Sequence, residues 1–158
     1  MDKIHLIEKL TTMLKASIEG QQKSFESARQ ASVDAPGRMQ SRYDTTGIES
    51  AWVADGLARA LREKESNLKC IEAFRYPESA AYAKIGSIVK ILSSDSPDYE
   101  YFFILPVLSG YELHENGTTI TTISPETPLG RALIGKKAGE IIEVNFPMRR
   151  TITVKELI

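Results

Sequence analysis

Between residues 3 and 33 the positions that break the polar surface step by three or four. Ile7, Leu10, Leu14, Ile18, Gln21, Phe25, Ala28 and Ser32 fall on one narrow line with a single four-four stutter. Such a line is a helix seam, too narrow for the broad face of a globular helix. The step recurs from Gly47 to Phe74, where Ala54, Leu57, Leu61, Lys64, Leu68 and Ile71 alternate threes and fours while Arg59, Arg62, Glu63 and Glu65 take the other faces. Two seams of similar length with no third long helix to complete a bundle predict an antiparallel coiled-coil hairpin. The first helix should end near Val33 to Ala35, because Pro36 disfavours helical geometry in the residue before it and Gly37 supplies a break. Thr46 followed by Glu49 is a capping-box spacing that should start the second.

After Tyr76 and Pro77 the period changes to two. "IGSIVKIL", "YEYFFILPVL", "GYELHENGTTITTIS", "GEIIEVNFP" and "RRTITVKEL" read as strand-forming runs, and Asn116-Gly117 marks a two-residue hairpin turn. "TPLGRALIG" interrupts them as a short helix, with Pro128 at an early helical position and Gly135 as its C-cap. The expected fold class is α+β. Residues 1–76 form the helical hairpin, with its tip at about 34–49, and residues 77–158 form a small domain of five short strands and one helix. Tyr99, Tyr101, Phe102, Phe103, Tyr111 and Phe146 either fill a core or line a pocket, and alternating aromatics in strands favour the core.

Composition narrows the function. Net charge is −1, and the halves are alike, with 12 basic and 11 acidic side chains up to residue 76 and 8 and 10 beyond it. Duplex DNA binding leans on many cationic contacts to phosphate, so a near-neutral chain with interspersed signs points to a protein partner and away from sequence-specific DNA binding. No apolar run reaches membrane-span length, the start is neither a signal nor a transit peptide, and Cys70 stands alone, all of which suit a cytoplasmic address. His5, His114 and Cys70 cannot be arranged into a zinc spacing. Neither a nucleophile elbow nor a phosphate-binding loop can be written, so an intrinsic active site is hard to assemble.

"ISPETPLGRALIGKKAGEIIEV", residues 123 to 144, resembles the C-terminal signature of the bacterial Gre transcript-cleavage factors, the GreA/GreB family. Pro128, Arg131, Ala132, Leu133, Gly135, Lys136 and Gly139 match the family pattern, while Thr127 stands for its usual serine and Glu140 for its aspartate. The resemblance implies an N-terminal antiparallel coiled coil followed by an FKBP-like domain, in agreement with the two periods. It further implies an accessory factor, not an enzyme in its own right. The small domain would bind bacterial RNA polymerase, and the coiled coil would enter the secondary channel. Tip acids would there help hold a Mg²⁺ shared with the polymerase active site, so that the polymerase cleaves the 3′ end of backtracked nascent RNA. A loosely held Mg²⁺ takes hard oxygen ligands, and one or two added carboxylates raise its occupancy and orient a water for attack.

The family tip carries two acids three residues apart. This chain offers Asp34, Asp44 and Glu49, the last two five apart around "TTGI". Asp44 and Glu49 are the candidate catalytic and metal-binding pair, with capping of the second helix as their alternative duty. Arg38 and Arg42 are candidate nucleic-acid contacts at the tip, and Tyr43 and Ile48 would pack it. Carried over from the family, Glu126 and Pro128 are the polymerase-binding candidates; they also suit the start of the short helix. Competing classes are a regulatory channel binder that does not stimulate cleavage, an FKBP-like peptidyl-prolyl isomerase or chaperone, and a structural coiled-coil adaptor.

Overall fold

A computed structural model of the chain describes residues 1–34, 46–78, 80–145 and 149–158. Arg38, Arg42, Tyr43, Asp44, the side chain of Thr46 and Phe146 lie outside the described residues, as does the expected break at Pro36 and Gly37. Two long helices, α1 (Lys3–Asp34) and α2 (Thr46–Ala73), precede strands β1 (Ile88–Ser93), β2 (Tyr99–Ile104), β3 (Glu112–Glu115) and β4 (Thr118–Ile123). A short helix α3 (Pro128–Leu133) and strands β5 (Ile141–Val144) and β6 (Arg150–Leu157) follow. The α+β class with an N-terminal helical hairpin is what the structure has. Its described strands number six and not five, because the single run from Gly110 to Ser124 folds back on itself as β3 and β4.

The chain divides into two compact units, Thr11–Lys69 and Met1–Leu10 with Cys70–Ile158. In the first, the covered residues of α1 are Thr11, Leu14, Ile18, Gln21, Phe25, Ala28 and Ser32, which is the seam the spacing predicts, with Thr11 added. The Gln21 side-chain amide donates to the carbonyl of Leu57 (3.4 Å) and Lys64 Nζ to Ser17 Oγ (2.8 Å). Going back from 21 to 17 goes forward from 57 to 64, so the helices run antiparallel. Lys64 occupies an apolar seam position because its methylene stem covers the seam while its ammonium finds a hydroxyl at the edge.

The second unit is a six-stranded sheet in the order β3-β4-β2-β1-β6-β5, antiparallel except where β2 and β4 run parallel. Val89, Ile91, Phe102, Ile104, Ile123, Ile142, Val144, Ile152 and Val154 point to one face, where Leu133 of α3 and Ala83 close the core. Alternation sends Ile88, Phe103, Leu113 and Ile120 to the other face. There the first turns of α1 and the end of α2 supply Leu6, Leu10 and Ile71, all fully buried, and Tyr76 meets Phe103 with ring centroids 5.8 Å apart. The backbone N–H of Asp2 donates to Glu115 Oε1 (3.2 Å) and Lys9 Nζ to the carbonyl of His114 (2.9 Å), fixing the helix start on β3. Phe102 and Phe103 are therefore core residues, whereas Tyr99 is exposed. Asn116 and Gly117 both take positive φ (50° and 78°), as a two-residue hairpin turn demands.

Candidate functional site

The signature segment begins with a cap. Thr127 Oγ1 accepts the N–H of Gly130 (3.0 Å) and donates to the carbonyl of Ser124 (2.8 Å), while Pro128 fills the first helical turn, where a missing N–H costs nothing. A threonine does this as well as the family's serine, since the hydroxyl is the working group. Gly130 is buried against the Ser124 carbonyl, and a Cβ built on it would lie 2.0 Å from that oxygen. Only glycine fits. The cap at the other end is Ile134, one residue earlier than expected. Its N–H reaches the carbonyl of Gly130, and Gly135 follows at φ 83° because the chain must turn left there. The N–H of Gly135 then donates to the carbonyl of Ala83 (2.7 Å), and Ala83 returns one to Lys136 (2.7 Å).

Glu140 holds the next turn. Its Oε1 accepts the backbone N–H of Lys137 (3.0 Å) and its Oε2 lies 3.3 Å from Lys136 Nζ. These contacts, the Lys137 N–H first and the Lys136 ammonium next, hold the carboxyl below the usual carboxylate range. A glutamate in place of aspartate still reaches the amide, with one more methylene to span. Gly139 takes φ 90° and donates its N–H to Val154 (2.8 Å), tying the turn to β6.

Most matched positions thus have a local duty in folding. Glu126 and Pro128 remain at the surface beside the capped helix, both exposed. Glu49 is exposed in the first turn of α2, where a carboxylate suits the positive end of the helix. Asp44, Arg38 and Arg42 fall outside the described residues, so of the expected acid pair only Glu49 is described. No group of three or more His, Cys, Asp or Glu side chains able to hold a metal occurs among the described residues. No helix among them is long and apolar enough to cross a membrane. Sequence reasoning passed over the double role of Thr127 and the contact of Gly130 with Ser124. The spacing of a threonine three residues before a glycine was the available signal.

A two-helix antiparallel hairpin combined with a small mixed-sheet domain, whose capped one-turn-and-a-half helix carries the TPLGRAL signature, defines the class of transcription elongation factors of the Gre type. Residues 79–157, half of the chain, match the family model described as "Transcription elongation factor, GreA/GreB, C-term", and the chain belongs to the GreA/GreB family. Among relatives, it is 31% identical over 107 residues to the transcription elongation factor GreA of Clostridium botulinum and 26% identical to that of Caulobacter vibrioides. Each alignment covers 68% of this chain, and they span 61% and 62% of those proteins' length. Among solved structures it is similar to the GreA factor homolog 1 protein of Thermus thermophilus, at 16% identity and a TM-score of 0.39 over 94% of each chain. It is also similar to a GreA/GreB factor from Nitrosomonas europaea, at 17% identity and a TM-score of 0.35 over 68% of this chain and 92% of that one.

Proposed function

We propose that this family member binds bacterial RNA polymerase through its sheet domain and inserts the helical hairpin into the secondary channel, where Asp44 and Glu49 stimulate cleavage of backtracked RNA. The observation that carries the reading is the GreA/GreB match over residues 79–157 joined to a helix pair far longer than its own stability requires. At about 1.5 Å per residue, the 32-residue α1 is about 48 Å long. A thin pair of that length has little core to gain from it, and reach is the function that length serves. Glu126 and Pro128, exposed beside the capped α3, are the proposed polymerase contacts.

The donor set suits a lent ligand, not a resident metal site. One exposed carboxylate at a helix start, with a second on the preceding segment, supplies hard oxygens of the kind Mg²⁺ accepts but too few to hold it alone. The ion, shared with the polymerase active site, would polarise the scissile phosphate and lower the pKa of a water. The helical backbone places Glu49 in the first turn of α2, from where its side chain would reach such an ion. Arg38 and Arg42 are the proposed contacts to RNA phosphate.

The test is a cleavage assay on stalled, backtracked elongation complexes with the cognate polymerase. Wild-type protein should shorten the RNA from its 3′ end, and Asp44→Ala and Glu49→Ala should each reduce the rate at least about tenfold, the scale of one lost transition-state contact. Full activity in both variants removes the metal role. Tight binding by wild type with no cleavage at any Mg²⁺ concentration makes the chain a channel-occupying regulator instead.

A further inference from the structure

Trp52 is the chain's one tryptophan, and it is 73% exposed on α2, six residues after the helix begins. At 3.6 residues per turn it stands about 180° from Leu61, so the seam that holds the hairpin together has no use for it. Ile48, also exposed, lies one turn before it on the same stripe. One turn after it is Gly56, which adds no side chain to the strip. Flanking this apolar strip within about 60° on either side are Glu49, Asp55 and Glu63, with Arg59 held by Asp55 through an i,i+4 ion pair. Three carboxylates against one guanidinium leave the face net negative.

From this we infer that the outward face of α2 is a binding surface of its own, with Trp52 as the anchor and an apolar socket edged by Arg or Lys on a protein partner as its complement. Tryptophan on a helix face with an apolar neighbour one turn away is the composition of an interface hot spot. An exposed indole also stacks on nucleic acid bases, but the surrounding acids repel phosphate, so charge favours the protein. The inference rests on the polymerase reading above and deepens it: the socket belongs to the polymerase surface that α2 would pass, and is separate from the proposed contacts of Glu126 and Pro128.

A single tryptophan allows a direct test. The full chain carrying 5-fluorotryptophan gives one fluorine resonance, to be followed as cognate core RNA polymerase is added. The expected result is a shifted and broadened resonance, with affinity at least about tenfold weaker for Trp52→Ala, the size of a hot-spot truncation. Far-UV circular dichroism should show unchanged helix content, since the side chain is 73% exposed and lies opposite the seam, and Glu63→Lys should slow association severalfold by setting a cation against the basic edge. An unmoved resonance in a complex that forms with undiminished affinity for Trp52→Ala overturns the inference and leaves the polymerase reading standing. Failure of the wild-type chain to bind polymerase at all removes both. A shift produced by single-stranded RNA alone, with none produced by polymerase, makes the face a stacking platform and overturns the inference as well.

Discussion

A methyl group at residue 130 would have nowhere to go. The Ser124 carbonyl it would meet at 2.0 Å is backbone, tied into the Thr127 cap, and cannot swing aside as a flexible side chain would. Gly130→Ala should therefore cost about 1–3 kcal/mol or more, the range of overpacking in a closed site. Gly20 is the control, because a Cβ there meets nothing within 4 Å inside α1, and Gly20→Ala should stabilise by up to about 1 kcal/mol through helix propensity. Urea unfolding of the two variants beside wild type reads both signs. Glu140 yields a prediction in pH. Its folded pKa is depressed by the Lys137 N–H and then Lys136, so the stability it adds is present above its unfolded value and is lost as pH falls through the lower, folded one. Melting temperature followed from pH 6 downward should fall less steeply for Glu140→Gln than for wild type, and identical slopes would remove Glu140 from the linkage.

At the scale of elements, the hairpin depends on a thin seam, and Ile18 is one of its few buried apolar residues. Ile18→Ala should cost about 2–3 kcal/mol and lower the midpoint of unfolding followed at 222 nm, whereas a change at the exposed Ala16 should leave it in place. The seam was legible in the sequence because a two-helix rod buries one stripe and nothing else, so period and burial coincide from Leu14 to Ser32. They part at the helix start. Spacing assigns Ile7 to the line, but Leu6 is fully buried and Ile7 half-buried, because the first turns of α1 pack on their own unit's sheet and rotate the stripe by a residue. Strands were legible in kind and miscounted by one. A run with the Asn116-Gly117 signal in its middle is two strands, and the order β3-β4-β2-β1-β6-β5 depends on pairings between distant segments that no local pattern encodes. The signature segment was readable as a family pattern, yet the reasons for its residues, a cap at Thr127 and a contact at Gly130, emerge only once Ser124 is brought beside them. Of the tip residues proposed to act, Arg38, Arg42, Asp44 and Glu49, only Glu49 is among the described residues.

For the molecule as a whole, the proposed function assigns binding and chemistry to different parts of the chain. Glu126 and Pro128 belong to the unit built on the sheet, and Asp44 and Glu49 to the hairpin's sequence, so substitutions in each should act on different measurements. Glu126→Lys replaces an exposed acid with a base and breaks no hydrogen bond or ion pair among the described residues, which makes it a cleaner probe than Pro128, whose ring also starts α3. If the reading is right, Glu126→Lys should weaken polymerase binding severalfold or more while cleavage at saturating factor recovers to the wild-type rate. Asp44→Ala and Glu49→Ala should do the reverse, leaving affinity near wild type and depressing the saturated rate, because an interaction made only in the transition state moves the rate and not the binding. Titrating factor against a fixed amount of backtracked complex separates the two in one experiment. Variants of both kinds that shifted midpoint and plateau together would mean that binding and chemistry are not divided between the two units, and the assignment of roles would have to be redrawn.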